Sequence, residues 1–202
     1  MAAVVEYSAN EATMISGHNV TLIEARRDDM PAIIQIASEC ANWLFCDGGN
    51  LSIDRLDSIL LATDTGTSSL IWSAWKHREI VGFVTLNNIH PIHRSAEILF
   101  LAVRSAQADA WIYSDIAKAI SRFAFMHLNL NRIEWKNYAG HRSINALYKR
   151  GGAVLEGVKK EARWRNGKFE DLNEWAILRD TWQARHNTTA TKRNLYAIRP
   201  TG

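Results

Sequence analysis

Hydrophobic residues recur along this chain at two spacings, and each spacing predicts a different kind of element. A spacing of three or four residues, typical of helices, occurs in four segments. The first of these helices begins near Asp28 and Pro31, which favour a first turn, and it carries Ile33, Ala37 and Cys40 on one face. The other three predicted helices run from Ser52 to Leu60, from Ser114 to His127 and from Arg142 to Arg150.

Runs rich in Val, Ile, Leu and aromatic residues predict seven strands. Three consecutive runs in the middle of the chain have short polar connections, so they predict an antiparallel meander. The last two runs are joined by Asn166-Gly167, a strong signal for a tight hairpin turn. The seven strands are Val20–Ala25, Ser69–Lys76, Ile80–Ile89, Ala96–Val103, Arg132–Tyr138, Ala153–Trp164 and Phe169–Leu178.

The composition is that of a globular protein. Of the 202 residues, 47% are hydrophobic, 22% are charged and only 3 are proline, which excludes collagen-like, low-complexity and largely disordered chains. The apolar runs are far shorter than the roughly 20 residues of a membrane-spanning helix, and Met1–Asn10 lacks the pattern of a secretion signal. We therefore expect a cytoplasmic protein that does not enter a membrane. We expect one domain over residues 1–182 and a mobile basic tail over residues 183–202.

The cysteines and the charge distribution narrow the chemistry further. Cys40 and Cys46 are too few for a disulfide framework and have no neighbouring ligands at zinc spacing, so we expect buried thiols and no metal site. Residues 1–64 carry ten acidic and three basic residues, whereas residues 132–168 carry ten basic and three acidic ones. The second region predicts either a basic face for an anionic ligand or acidic partner, or an ordinary solvated surface.

A resemblance to a known family follows from the element order and from three short segments. The order is strand, two helices, three strands, long helix, strand, short helix and hairpin. The segments are Leu130–Glu134, Ser143–Gly151 and Leu155–Gly157. From about Ile80 to Leu178 the chain resembles the GNAT superfamily of N-acyltransferases, in particular the branch that includes ribosomal-protein acetyltransferases. The resemblance implies an α/β (α+β) fold, with a mixed, mostly antiparallel sheet of about seven strands and helices on both faces.

The resemblance also implies a reaction. Ala96–Val103 and Arg132–Tyr138 would be a splayed pair of parallel strands that admits a pantetheine thioester, which an acceptor amine attacks directly. Tyr148 matches the family's general acid, and the alternative is a tyrosine of the core. Glu97 lies where several relatives keep a base, and the alternative is a carboxylate that faces solvent.

Three signature features of the family are changed in this chain. The loop that wraps the coenzyme A pyrophosphate should fall at Gln107–Tyr113, but its small positions are Trp111 and Tyr113, which would crowd phosphate against the backbone amides. The Asn before the motif serine is Gly140, and the Phe after the glycine is Ala153. We therefore expect the thioester to be presented on an acyl carrier protein rather than on free coenzyme A.

The residues expected to bind the donor surround the two splayed strands. An acidic carrier would meet a basic and aromatic patch at the mouth of the cleft, formed by Arg104, Trp111, Lys118, Arg122, His141 and Arg142. The donor- or carrier-binding residues are Phe100, Leu101, Val103, Arg104, Trp111, Tyr113, Asn137, His141, Arg142 and Ser143. His90 and His93 occupy a loop on the acceptor side, where they are either proton relays or ordinary surface residues.

These expectations combine into one leading function and two alternatives. The leading function is an N-acyltransferase that moves an acyl group from carrier-bound phosphopantetheine, or from acyl-CoA, to the amine of a small molecule, for example in natural-product biosynthesis. The first alternative is an acetyl-CoA-dependent N-acetyltransferase of a protein N-terminus or a small amine. The second is a GNAT-like binding module without catalysis. Nucleic-acid binding by the basic stretch Lys159–Lys168 is not expected, and a homodimer is left open.

Overall fold

The computed structural model describes residues 14–40, 69–104, 110–165 and 167–186. Within these ranges nine strands form one sheet, and helices cover both of its faces. The strands are β1 (Met14–Ser16), β2 (Thr21–Glu24), β3 (Leu70–Lys76), β4 (Glu79–His90), β5 (Ser95–Glu97), β6 (Leu101–Val103), β7 (Arg132–Tyr138), β8 (Val154–Arg165) and β9 (Lys168–Leu178). The helices are α1 (Met30–Glu39), α2 (Ala110–Met126), α3 (Arg142–Gly151) and α4 (residues 179–186).

The strand order across the sheet is β1-β2-β3-β4-β5-β7-β9-β8, and β6 pairs with β4 beyond the end of β5. Neighbouring strands are antiparallel except β5 and β7, which are parallel. The expected mixed, mostly antiparallel sheet with helices on both faces is confirmed. The structure adds β1, which lies in a segment without a strand pattern, and it divides the run Ala96–Val103 into β5 and β6.

Side chains that alternate along β4 contribute to two hydrophobic cores. Phe83 belongs to the core under α1, together with Ile33 and Ile36. Val84 belongs to the larger core under α2, together with Ile116. All four of these aliphatic side chains are fully buried, and burial of such a side chain stabilises the fold by about 1.5–3 kcal/mol. The two cores therefore hold the middle of the sheet between α1 and α2.

A buried carboxylate attaches the N-terminal hairpin to α2. The Asp115 side chain accepts hydrogen bonds from the backbone N–H groups of His18 at 2.9 Å, Asn19 at 2.6 Å and Val20 at 3.0 Å. A Cβ at Gly17 would lie only 2.8 Å from the same carboxylate, so the turn requires glycine there. The carboxylate satisfies donors that the turn between β1 and β2 leaves unpaired.

The C-terminal helix α4 packs on the fold and extends beyond the expected domain end. Trp182 is buried, with its ring 5.4 Å from that of Phe125. The Arg185 guanidinium donates to the carbonyl of Arg150 at 2.8 Å. Residues 183–186, which were expected to belong to a mobile tail, are therefore helical. Residues 187–202 lie outside the described part.

Other boundaries differ less from the sequence patterns. β8 and β9 form the expected hairpin, in which Gly167 takes a left-handed φ of 79°. The chain is already helical at Ala110, before the expected start of the long helix at Ser114. The predicted helix Ser52–Leu60 and the second cysteine, Cys46, lie outside the described residues. In the ranges that the structure covers, no helix is long and apolar enough to cross a membrane.

Candidate active site

A cleft opens in the sheet where β5 ends. β5 pairs with β7 from Ser95 to Glu97, and the Ile98 N–H then donates to the Glu134 carbonyl at 2.8 Å. Beyond this point β6 pairs with β4, while β7 continues along β9, with which it pairs over its whole length. The expected splay of two parallel strands is thus present in the structure.

A bulge in the chain between β5 and β6 causes this splay. From the pair Asn87–Glu97 to the pair Val84–Leu101, the chain opposite β4 contains one extra residue. The Phe100 N–H donates to the Thr85 side-chain oxygen at 3.1 Å, and the Phe100 carbonyl accepts the Thr85 N–H at 2.9 Å. A bulge bends the strand that carries the extra residue, so β6 turns away from β7.

The same bonds contradict the expected donor-binding role of Phe100. Both of its backbone groups are occupied by Thr85, and its side chain lies fully buried in the core under α1. The backbone N–H and C=O groups of successive residues in a strand point to opposite sides. Those of Leu101 and Val103 in β6 therefore point towards the cleft, as do those of Lys136 and Tyr138 in β7. These facing edges suit an extended ligand that carries amide groups.

Tyr148 lies beside the point where the strands separate. α3 presents its ring edge-on to Trp135 and Trp175, with ring centres 5.2 Å and 5.7 Å away. Burial raises the pKa of the Tyr148 phenol well above its usual value, and the nearby Tyr113 adds to the rise. The phenol therefore carries its proton at neutral pH, as a general acid must.

A network of side-chain amides fixes α3, and with it Tyr148, on the sheet. Asn137 accepts the Trp175 indole N–H at 2.7 Å and donates to the Asn145 side chain at 2.8 Å. Asn145 donates to the Ala139 carbonyl at 2.8 Å and also accepts from Asn173 at 3.2 Å. The side chain of Asn137, a residue expected to bind the donor, is buried and engaged in these bonds.

Glu97 lies on the other face of the sheet at nearly the same level. Its neighbour Ala96 points into the core under α2, so Glu97 points to the opposite side. The carboxylate accepts from Lys136 at 3.1 Å and from the Asn88 side chain at 3.2 Å. Glu97 and Tyr148 thus flank the start of the cleft from the two faces of the sheet.

The two candidate histidines are not brought together with Tyr148. His90 and His93 stack on each other with ring centres 4.1 Å apart, and the His93 N–H donates to His90 Nδ1 at 3.2 Å. His90 ends β4 and His93 lies in the exposed turn before β5, whereas the cleft opens after β5. Among the described residues, no three His, Cys, Asp or Glu side chains are grouped so that they could hold a metal ion.

The expected basic patch is not one continuous surface. Arg104 pairs with Glu39 at 3.6 Å and Glu79 at 3.8 Å, so its charge is balanced. Arg122 binds the Ser16 carbonyl, about 16 Å along α2 from the first turn that carries Trp111. The patch members Lys118, Arg142 and Trp111 are exposed, Trp111 to 73%. Ser143, which follows Arg142 in the chain, is exposed as well. The dispersed charges give little support for an acidic carrier.

His141 lies at the start of α3, within a cluster that the sequence did not reveal. Its Nε2 is 3.5 Å from Arg165, and that guanidinium covers the Tyr138 ring at 4.5 Å. Burial lowers the pKa of His141, and the positive charge of Arg165 lowers it further. A neutral imidazole at pH 7 therefore fits a packing or hydrogen-bonding role at the cleft mouth.

Two residues that shape the site were missed from sequence. Thr85 and Lys136 are polar side chains within strand-forming runs, and this interruption was the available signal. Thr85 completes the bulge, while Lys136 pairs with the candidate base. Their roles depend on strand register, because each partner belongs to another strand.

Comparisons with known proteins agree with this geometry. Residues 19–154 match a family model described as an acetyltransferase (GNAT) domain. Over 107 residues the chain is 28% identical to the ribosomal-protein-serine acetyltransferase of Escherichia coli (strain K12), covering 53% of this chain and 59% of that protein. Over 105 residues it is 29% identical to the spermidine N(1)-acetyltransferase of Vibrio cholerae, covering 52% of this chain and 60% of that protein. The match thus spans only part of each relative's length.

Solved structures share the fold. The spermidine N-acetyltransferase from Vibrio cholerae, solved in complex with CoA and spermine, superposes with a TM-score of 0.73 at 21% identity, covering 82% of this chain and 98% of that one. A probable acetyltransferase gives 0.70 at 19% identity, with coverage of 84% and 99%. At these identities the likeness concerns the fold alone. Since the family model spans more than half of a chain with this fold, the chain belongs to the GNAT acetyltransferase family.

Proposed function

We propose that this chain is an acetyl-CoA-dependent N-acetyltransferase that acts on a primary amine, either at a protein N-terminus or on a small molecule. The observation that carries the proposal is the arrangement at the start of the cleft. There Tyr148 and Glu97 face one opening from opposite sides of the sheet. The names of the relatives, a ribosomal-protein acetyltransferase and a spermidine acetyltransferase, support both kinds of acceptor.

The reaction requires two proton transfers, and the site offers one group for each. The acceptor nitrogen forms a bond to the acetyl carbonyl carbon while the carbon–sulfur bond breaks. Glu97 takes the proton that the amine loses, and Tyr148 gives its proton to the departing thiolate. Each positioned acid or base contributes about 10²- to 10⁴-fold to the rate.

Free acyl-CoA is the better donor proposal than the expected carrier protein. A solved neighbour with the same fold was crystallised with CoA, and the charges expected to receive a carrier are dispersed or paired. The backbone groups of Leu101, Val103 and Lys136 that face the cleft suit the amides of a pantetheine arm. Of the segment expected to meet the pyrophosphate, Gln107–Tyr113, residues 107–109 lie outside the described part.

The proposal is tested by incubating the purified chain with acetyl-CoA and a panel of amines. The panel contains spermidine, spermine and peptides with the N-terminal sequences of ribosomal proteins, and mass spectrometry detects acetylated products. We expect transfer to at least one of these classes of acceptor. Transfer only from an acetylated carrier protein, or no transfer to any amine, would reject the proposal.

Tyr148→Phe tests the acid within the same assay. Only the phenolic proton is removed, so kcat should fall at least tenfold while KM for acetyl-CoA changes little. Trp164→Phe, at the exposed tip of the β8–β9 hairpin, is the control and should leave both constants unchanged. Full turnover by Tyr148→Phe would return Tyr148 to a role in packing.

A further inference from the structure

Two indoles flank Tyr148, and they differ in how their N–H groups are bonded. The rings of Trp135 and Trp175 both stand nearly edge-on to the phenol ring, at interplanar angles of 70° and 68°. Trp175 Nε1 donates to the Asn137 side-chain oxygen at 2.7 Å. Trp135 Nε1 is shielded from solvent as well, but it has no hydrogen-bond acceptor among the described residues. One of the two indoles beside the candidate acid therefore has an N–H group that a ligand could accept.

A buried N–H group without an acceptor needs a physical reason. It has given up its hydrogen bond to water without replacement, and proteins keep few such groups, some of them at catalytic sites. Trp72 is the comparison, because its Nε1 is also shielded and has no acceptor in the described ranges. Trp72, however, is fully buried in the larger core, on a strand that β4 separates from the cleft. The missing acceptor therefore indicates a ligand at Trp135 and not at Trp72.

The position of Trp135 places its indole near the reacting end of the donor. The bond from the Ile98 N–H to the Glu134 carbonyl ends the pairing of the parallel strands, and Trp135 is the next residue of β7. Its side chain lies on the same face of the sheet as Tyr148, with the two ring centres 5.2 Å apart. In the proposed reaction Tyr148 protonates the thioester sulfur, and the acyl carbonyl carbon is bonded to that sulfur. A hydrogen-bond donor beside Tyr148 is thus close to the acyl carbonyl.

We propose that the Trp135 indole N–H donates a hydrogen bond to the carbonyl oxygen of the acyl group, so that this residue recognises the thioester. The assignment deepens the proposed function and rests on it, since it presumes that the thioester sulfur lies at Tyr148. The carbonyl oxygen gains negative charge as the amine attacks, so the same bond strengthens in the transition state. Trp135 would therefore contribute to turnover as well as to recognition.

A pair of ligands that differ only at the carbonyl tests the assignment. S-ethyl-coenzyme A is a thioether that has a methylene group where acetyl-CoA has the carbonyl. Calorimetric titration of the full chain gives a dissociation constant for each ligand. Trp135→Phe removes the N–H group, so it should reduce the preference for acetyl-CoA over the thioether about two- to tenfold. Binding of free coenzyme A should not change, and kcat should fall at least tenfold.

The other two tryptophans supply matched controls. Trp175→Phe also takes an indole away from the Tyr148 ring, but its N–H group belongs to Asn137. Its melting temperature should fall, because a buried acceptor loses its donor, while the preference for acetyl-CoA should stay the same. Trp72→Phe removes an indole N–H that likewise has no acceptor among the described residues, but away from the cleft, and should also leave the preference unchanged.

The outcomes separate the role of Trp135 from the proposed function. If Trp135→Phe keeps the preference, or Trp175→Phe loses it equally, the assignment is rejected, while acetyl transfer by the wild type still supports the function. If Trp135→Phe does not fold, the indole N–H signals of the eight tryptophans in the wild-type nuclear magnetic resonance spectrum decide. One signal should move with acetyl-CoA and not with the thioether, and its absence rejects the assignment. If the wild type binds neither ligand, the assignment and the proposed donor fail together.

Discussion

At the scale of single residues, two carboxylates lie opposite each other on paired strands at the start of the cleft, but they bond to different partners. Glu97 and Glu134 are register partners on β5 and β7. Glu97 bonds to Lys136 and Asn88 beside the cleft, whereas Glu134 pairs with Arg132 at 2.8 Å. This difference makes the second carboxylate a control for the first.

We expect Glu97→Gln to slow acetyl transfer, with the greatest loss at low pH. At low pH fewer acceptor amines are already neutral, so removal of a proton by the enzyme matters more. The measurement is the pH profile of kcat/KM for the best acceptor, compared between wild type, Glu97→Gln and Glu134→Gln. Equal losses in the two variants, or a loss independent of pH, would assign Glu97 to the charged surface.

At the scale of elements, α3 ends at two adjacent glycines, and only the second lies where a side chain would clash. Gly152 has a φ of 96°, and a Cβ there would lie 2.7 Å from the Arg185 side chain of α4. Gly151 precedes it within the helix, and a Cβ there would meet nothing within 4 Å. The sequence Gly151-Gly152 predicted the helix end but not which glycine is required.

Gly152→Ala should destabilise the chain by about 1–3 kcal/mol, since it adds a side chain at positive φ and displaces Arg185. Gly151→Ala should be neutral or stabilising by up to about 1 kcal/mol, because alanine favours a helix. Urea unfolding of both variants measures the difference. Similar free energies of unfolding for the two would show that α4 yields to the added methyl group.

The elements also show how far the sequence could lead. The hairpin β8–β9 and α1 follow from local signals, Asn166-Gly167 and the acidic and proline start, so both were predicted. The division of Ala96–Val103 into two strands was not predicted, because the residues around the bulge are as apolar as the strands beside them. The residue that bonds to the bulge, Thr85, lies on another strand. The place of Tyr113 was also missed, since it depends on where α2 begins: it was expected in a phosphate loop but lies in α2, partly buried against the larger core.

At the scale of the whole molecule, the basic C-terminal half is largely neutralised by acidic partners. Many of its ion pairs involve carboxylates of β9 or of neighbouring strands. The pairs are Arg132 with Glu134 and Glu156, Lys136 with Glu97, Lys159 with Glu174, Lys160 with Asp171, and Arg165 with Glu170. Exposed ion pairs of this kind contribute about 0–1 kcal/mol each to stability. Since they balance the basic charges, they favour an ordinary solvated surface over a basic face for an anionic ligand.

The stability of the whole chain should depend on pH through His141. Burial and Arg165 lower the pKa of His141, so below about pH 6.5 the unfolded chain takes up a proton that the folded chain resists. The free energy of unfolding should therefore decrease as pH falls from 7.5 to 5.5. His141→Gln should reduce this slope. Denaturation at several pH values tests this, and an unchanged slope in His141→Gln would contradict it.

The parallel seam between β5 and β7 has a mechanical consequence. It joins the strands of residues 14–104 to those of residues 132–178 through three residue pairs. α2 follows the first set of strands in the chain but packs against β6 and β1 of that set as well as against β7. Since the helix contacts strands on both sides of the seam, it holds together two halves of the sheet that share only this short parallel pairing, and the width of the cleft depends on that helix as well as on the strands.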